Sequence, residues 1–267
     1  MGSCWRSSPA RLSACWSGSR TGPPARGLLP LILLLLIWQL VQPGPSPYFP
    51  GPSQWWTATL TLFSREHLVA AFGATTWTFL KGLLLAIVAG TVLGLLVGIS
   101  DRAARALQPL LEFMRAIPPP VTVPVASLLI GYSETMKLTV VVLSALWPIL
   151  LNTTSAVRQI DPLLLDVARS FRLTALQRMR RIILPAIVPS LLLGIRVAIP
   201  LAIVVTLLVE MLTSLPGIGA LMIRSQRNFQ SSEVYALLVL VGLFGFVVND
   251  LFAIIEGVIM RRWPPRS

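Results

Sequence analysis

The sequence predicts an all-α membrane protein with about six transmembrane helices. Three observations carry that expectation. Only 12% of the 267 residues are charged and 55% are hydrophobic, whereas a soluble chain carries about 25% charged residues. The apolar residues are gathered into runs of about 20 residues or more, the length that crosses ~30 Å of hydrocarbon. The basic residues fall between those runs, mostly on alternate connections. A soluble enzyme is excluded by this composition, with its mean hydropathy of +0.77. The net charge of +12 is dispersed rather than gathered into a patch, so no nucleic-acid partner is expected.

The elements follow in order. Residues 1–27 hold Arg6, Arg11, Arg20 and Arg26 and six serines without an acid, and form a tail expected to be disordered. The apolar run 28–41 resembles, with that tail, a signal peptide or a transit peptide. The proline-rich stretch after it (Pro43, Pro45, Pro47) offers no A-x-A cleavage site, which favours a retained first span. Five further spans are expected at 74–99, 107–130, 138–156, 186–211 and 235–259. Together they make a six-span domain over 28–262, with a short tail at 263–267.

Orientation follows from the connections. Arg6, Arg11, Arg20, Arg26, Arg102, Arg105, Arg158, Arg169, Arg172, Arg178, Arg180, Arg181, Arg261, Arg262 and Arg266 fall on one side, and Arg65, Lys137, Arg224 and Arg227 on the other. Fifteen against four puts both termini in the cytoplasm and accounts for the isoelectric point near 11.4. Lys81, Arg115 and Arg196 fall within spans.

Two spans carry distinctive patterns. In 74–99, Gly82, Ala86, Gly90, Gly94 and Gly98 recur every fourth residue, a smooth helix face for close packing. In 107–130, Pro118, Pro119, Pro120 and Pro124 remove backbone donors and break the helix. Lipid tolerates such a break only where protein or a water-filled cavity covers the freed carbonyls. Two readings stay open, a lining of a transport pathway or a buried kink.

The connection 157–185 is too patterned for a passive linker. Asp161-Pro162 supplies an N-cap and a first-turn proline. Leu164, Val167, Ala168 and Phe171 make one apolar stripe. Thr174 and Gln177 make a capping box for a second short helix with Leu176, Met179 and Ile183 on its apolar face. Two short amphipathic helices between spans read as a docking surface or as an interfacial pair held by anionic lipid.

Here the residues resemble a known signature. Asp166-Val167-Ala168-Arg169-Ser170-Phe171-Arg172, followed by Ile182-Ile183-Leu184-Pro185, is similar to the EAA loop of ABC-importer permeases. The stretches 115–134, 147–162, 180–199 and 209–222 resemble the nitrate/sulfonate/taurine branch of that family, and the likeness covers about 28–262. It implies a type I ABC importer permease fold with a core transmembrane domain at about 69–259 and a coupling loop at 157–185. Its implied partners are a cytoplasmic ABC ATPase, a periplasmic or lipid-anchored solute-binding protein and a second permease copy, in a bacterial inner membrane. The implied coupling positions are Asp166, Val167, Ala168, Phe171, Arg172, Leu184 and Pro185. Asp166 stands where the signature has Glu, and Arg172 where it has Gly. If that turn needs φ > 0, the arginine costs on the order of 1 kcal/mol.

Charges inside spans are functional or paired. Counted at ~1.5 Å per residue, Arg196 and Asp250 reach a similar depth, so an ion pair between them is expected, with pore contact for Arg196 as the other reading. Glu112 and Arg115, three apart, are expected to satisfy each other. Glu210, at the outer edge of the fifth span, belongs to a gate or docking patch or is wetted by headgroups. Arg115, Pro118, Pro119, Arg196, Glu210 and Asp250 are thus the candidate pathway positions. No catalytic set can be assembled: the chain has one histidine, His67, and two cysteines, Cys4 and Cys15, in the tail. Lys81 and Lys137 lack the preceding glycine of a nucleotide-binding loop. No metal or cofactor is expected, and ATP belongs to the partner. The function expected is therefore an ATP-driven permease for a nitrate-, sulfonate- or taurine-like anion or a related small molecule. The rival reading is a stand-alone channel or carrier whose cytoplasmic helices bind lipid.

Overall fold

A computed structural model describes residues 25–42, 48–64 and 67–261. The tail 1–24 with Cys4 and Cys15, the side chain of His67 and the segment 262–267 lie outside the described residues. The elements are α1 (Ala25–Val41), α2 (Pro52–Ser64), α3 (His67–Ile99), α4 (Asp101–Ala116), α5 (Pro119–Ile130) and α6 (Glu134–Arg158). There follow α7 (Pro162–Ser170), α8 (Ala175–Arg178), a π-helical turn (Met179–Ile183), α9 (Leu184–Thr213), α10 (Ile218–Arg227) and α11 (Ser231–Met260).

Four of these helices, α3, α6, α9 and α11, are long and apolar enough to cross a membrane, and α4 with α5 makes a fifth if that bent pair is one span. Among the residues whose side chains are described, α1 contributes a shorter apolar stretch, Ile32–Val41, part of the run 28–41. Two helices that the hydropathy pattern did not announce, α2 and α10, lie at one end of the bundle, opposite the arginine-rich connection 157–185.

The bundle is built around α6. The small-residue face of α3 lies against it in parallel, one four-residue step matching another. A Cβ at Gly82 would meet Val141, at Gly90 Ile149, at Gly94 Thr153 and the Leu150 carbonyl, and at Gly98 Val157, all within 3.1 Å. Ala86 on the same face is fully buried. The hydroxyl of Thr154 donates across this seam to the Gly94 carbonyl at 3.2 Å, a contact open only because the backbones approach so closely. On its other side α6 meets α9 at Gly194, whose Cβ would come within 3.1 Å of Ile149 Cα and the Pro148 carbonyl. Phe79, Val140, Ala145, Ile149, Ala198 and Ala202 form the centre of the resulting core.

The expected third span is broken where the prolines fall. The helical region is disfavoured for a residue before a proline, and both Ile117 (φ −71°, ψ 119°) and Pro118 (φ −64°, ψ 131°) are extended. Pro119 and Pro120 then occupy the first turn of α5, where a missing N–H costs nothing. The two helices meet at 94°. The hydroxyls of Thr122 and Ser127 donate to the carbonyls of Pro119 and Pro124 at 2.7 and 2.8 Å.

At the end away from the arginine-rich connection, α2, α3, α10 and α11 share a second core of Ala58, Leu62, Leu68, Ile218, Ala236 and Leu237. Trp38 of α1 packs edge-on against Trp55 and Tyr235, which stack at 5.5 Å.

Candidate functional site

Three places carry polar chemistry. The first is the arginine-rich loop. Asp161 caps α7 by accepting from the Leu163 N–H at 2.9 Å. Thr174 and Gln177 bond each other's backbone N–H groups in a complete capping box on α8. Between them α7 closes in a Schellman turn. The Leu173 N–H reaches the Ala168 carbonyl at 3.1 Å and the Arg172 N–H the Arg169 carbonyl at 2.9 Å. Arg172 sits in the left-handed region at φ +51°, so this position does need what glycine supplies freely. Arg172→Gly is therefore expected to stabilise the chain by about 1 kcal/mol, read as a rise of a few degrees in the thermal midpoint; a fall would refute the strain.

The expected apolar stripe is divided by the structure. Ala168 is only 2% exposed and Leu164 half-buried, so these two pack inward. Leu163, Val167 and Phe171, one row over, are exposed, Phe171 at 76%, and Leu176 of α8 is exposed beside them. Asp166 and Arg169 pair at 2.8 Å on the surface. Beyond α8 the chain passes through the π-helical turn to Leu184 and Pro185. The Leu184 N–H bonds the Met179 carbonyl five residues back. The widened turn lies just where the Pro185 ring would press on the preceding carbonyls and where its own N–H is missing.

The second place is a polar node at the opposite end, where Glu210 is fully buried. Lys137, also 0% exposed, approaches it at 2.9 Å. The Thr75 hydroxyl donates to its carboxylate at 3.0 Å and the Gly219 N–H donates at 3.0 Å. The Ile218 N–H donates to Thr75 at 2.9 Å, and Lys137 donates to the Pro216 carbonyl at 3.0 Å. One carboxylate thus ties α3, α6, α9 and the turn at 214–219 together. A Cβ at Gly217 would collide with that carboxylate. The expectation that headgroups wet Glu210 is corrected: the turn folds back over it and supplies the donors that water would have given.

The third place is a cavity of about 560 Å³ at the break between α4 and α5, closed by α6 and α9. Arg115 lines it with Pro119, Thr122, Ser144, Trp147 and Asn152, and no carboxylate does. Ser144, Thr122 and Asn152 already donate to carbonyls of their own helices. The guanidinium of Arg115 has no carboxylate within ion-pair distance among the described residues.

The chain matches the family model for the inner membrane component of binding-protein-dependent transport systems over residues 82–263. It belongs to that family. The permease is 30% identical to the nitrate import permease protein NrtB of Leptolyngbya laminosa over 92% of its length and 93% of the relative's. It is 26% identical to the putative aliphatic sulfonates transport permease protein SsuC of Bacillus subtilis, covering 88% and 87%. It is 28% identical to the bicarbonate transport system permease protein CmpB of Synechococcus elongatus, covering 88% and 90%. Its fold is that of a chain from an inward-facing crystal structure of the methionine ABC transporter MetNI. That match has a TM-score of 0.65 at 15% identity and covers 73% of the permease and 97% of the other chain. The protein is thus a multi-pass ABC importer permease, working with a separate ATPase and a solute-binding protein; it is a transport subunit, not an enzyme.

Two further expectations for the permease are corrected by its geometry. Arg196 pairs with Glu256 at 3.5 Å, not with Asp250, which is exposed and has no ion-pair partner among the described residues. Depth counted from Cα positions ignores the lean of side chains toward their helix N-terminus. In antiparallel α9 and α11 that lean carries Arg196 toward the arginine-rich end, where Glu256 lies. Glu112 accepts from Gln108 at 3.0 Å and lines a different cavity from Arg115, so the two do not satisfy each other. Lys81 sits over the Trp77 ring at 4.5 Å. Sequence reasoning missed Lys137 and Thr75 as partners of Glu210. Lys137 immediately precedes the apolar run 138–156, and that was the available signal.

Proposed function

We propose that the permease carries a small anion, and that the cavity at the α4–α5 break with Arg115 on its wall is where the solute meets the membrane domain. The observation that carries this is the unpartnered guanidinium. A cation on the wall of such a cavity without a carboxylate beside it is stabilised by an anion passing through. The relatives named for nitrate, aliphatic sulfonates and bicarbonate agree with that class.

The importer works as a homodimer in this reading. Val121, Val125, Leu128 and Leu129 of α5 are exposed beside the same cavity and offer an apolar face for a second copy, with lipid around the pair. Both termini and the 157–185 loop lie in the cytoplasm of a bacterial cell in this reading, and the excess of arginine on their side of the membrane supports that orientation. There Leu163, Val167, Phe171 and Leu176 face the ATPase. Asp166 pairs with Arg169 on that helix and Arg172 turns the chain at its end, and Leu184 and Pro185 pass its motion to α9. The nucleotide stays on the ATPase, and the permease needs no cofactor of its own.

Uptake into proteoliposomes holding the permease, its ATPase and its binding protein tests the cavity, with nitrate, bicarbonate and an alkanesulfonate as probes. Arg115→Gln is expected to lower uptake of the transported anion at least tenfold, about 1.4 kcal/mol, with the ATPase still bound. Unchanged uptake of all three would place the anion path elsewhere.

A further inference from the structure

We propose that Phe229, Arg224 and Arg227 form the docking surface for the solute-binding protein, and that the matching surface on that protein is an apolar pocket rimmed by carboxylates. The inference rests on the orientation given above, which places α10 outside the cell.

Helix α10 ends in a second Schellman turn. The Phe229 N–H bonds the Gln226 carbonyl at 3.1 Å and the Gln230 N–H the Ser225 carbonyl at 2.9 Å. Phe229 therefore occupies the left-handed position at φ +57°, where a bulky aromatic is a genuine outlier. Its ring is 79% exposed, so the strain is not offset by packing within the protomer. A residue kept in a strained conformation with its apolar side chain in the open points to a contact outside the chain.

The surroundings fit a protein partner. Arg224 and Arg227 are exposed on the same last turns, with no carboxylate within ion-pair distance among the described residues. Aromatics and arginines are the residues enriched at the centres of protein interfaces. The mount is rigid: the N-terminus of α10 is held by Glu210 and Thr75, and Ser225 is buried and donates to Glu233 at 2.8 Å. A surface held in its bound shape loses little entropy on docking. The same device stands at the other end, where a Schellman turn with a non-glycine residue presents Phe171 and Arg172. The permease thus carries one phenylalanine–arginine turn for each of its two soluble partners.

The test uses the importer assembled with its solute-binding protein. A photo-crosslinking phenylalanine analogue at position 229 is expected to capture that protein, identified by mass spectrometry. Arg224→Glu with Arg227→Glu is expected to raise at least tenfold the binding-protein concentration that half-stimulates ATP hydrolysis. Reversing the carboxylates found at the cross-linked site is expected to restore it. Capture of lipid alone, or an unchanged stimulation curve, overturns the proposal. Arg227→Cys in a Cys4→Ser/Cys15→Ser background separates the two readings. Labelling by an impermeant maleimide only from the cytoplasmic side refutes the orientation and the docking surface with it. Labelling from outside with unchanged stimulation refutes the docking surface alone.

Discussion

Glu210→Ala is expected to destabilise the permease by about 3–5 kcal/mol, the cost of leaving a buried charge without its partner. The substitution strands Lys137, which is fully buried and keeps the Pro216 carbonyl at 3.0 Å and the exposed Glu134 at 3.6 Å. It also removes the acceptor of the Thr75 hydroxyl and of the Gly219 N–H, and an unmade buried hydrogen bond costs a further increment. Against a typical total of about 5–15 kcal/mol that is a large share. The thermal midpoint of the purified protein is expected to fall by on the order of 10 °C. The double substitution Lys137→Met with Glu210→Gln removes both charges and leaves the amide oxygen to accept from Thr75 and Gly219. Most of the loss is expected to return, because replacing a buried pair by neutral groups of similar volume is close to neutral. A single mutant that melts with the wild type would mean that the pair is not buried in the working protein.

Phe171→Asp is expected to reduce the ATPase recovered with the purified permease more than tenfold while the permease itself melts unchanged. An aromatic anchor at the centre of an interface is worth about 2 kcal/mol or more, and a carboxylate in its place adds a desolvation cost. The side chain is 76% exposed in the protomer, so its removal takes nothing from the fold. Ala168 behaves differently. It is packed within the permease, so a large or charged residue there disturbs the loop itself and reports on folding rather than on docking. If the Phe171 variant retains its ATPase in full, the proposed contact at Phe171 is refuted.

The division at Ala168 marks where sequence reading stops. The period of 157–185 was enough to place two short helices, the Asp161 cap and the capping box of Thr174 and Gln177, because these are interactions between residues at most three apart. It could not say which of two adjacent rows faced inward, since both contain leucine and small or branched residues and 100° of rotation separates them. The strain at Arg172 was legible for the opposite reason, that a residue other than glycine at a turn position is a local conflict. Phe229 carries the same conflict, but no motif marked its position as a turn.

By itself the sequence determined what depends on local composition: the apolar lengths that make helices, the prolines that break the α4–α5 span, the small-residue face of α3, and the charge balance of the connections. Tertiary structure alone decided which charges meet. Arg196 found Glu256 rather than Asp250, and Glu210 found Lys137, Thr75 and the turn at 214–219 rather than water. The side-chain pairings among these join residues from 60 to 135 positions apart, and Gly219 of the turn lies nine positions on from Glu210. They depend on helix lean, rotation and the folding back of a turn, and none of these is written in the spacing of neighbours along the chain.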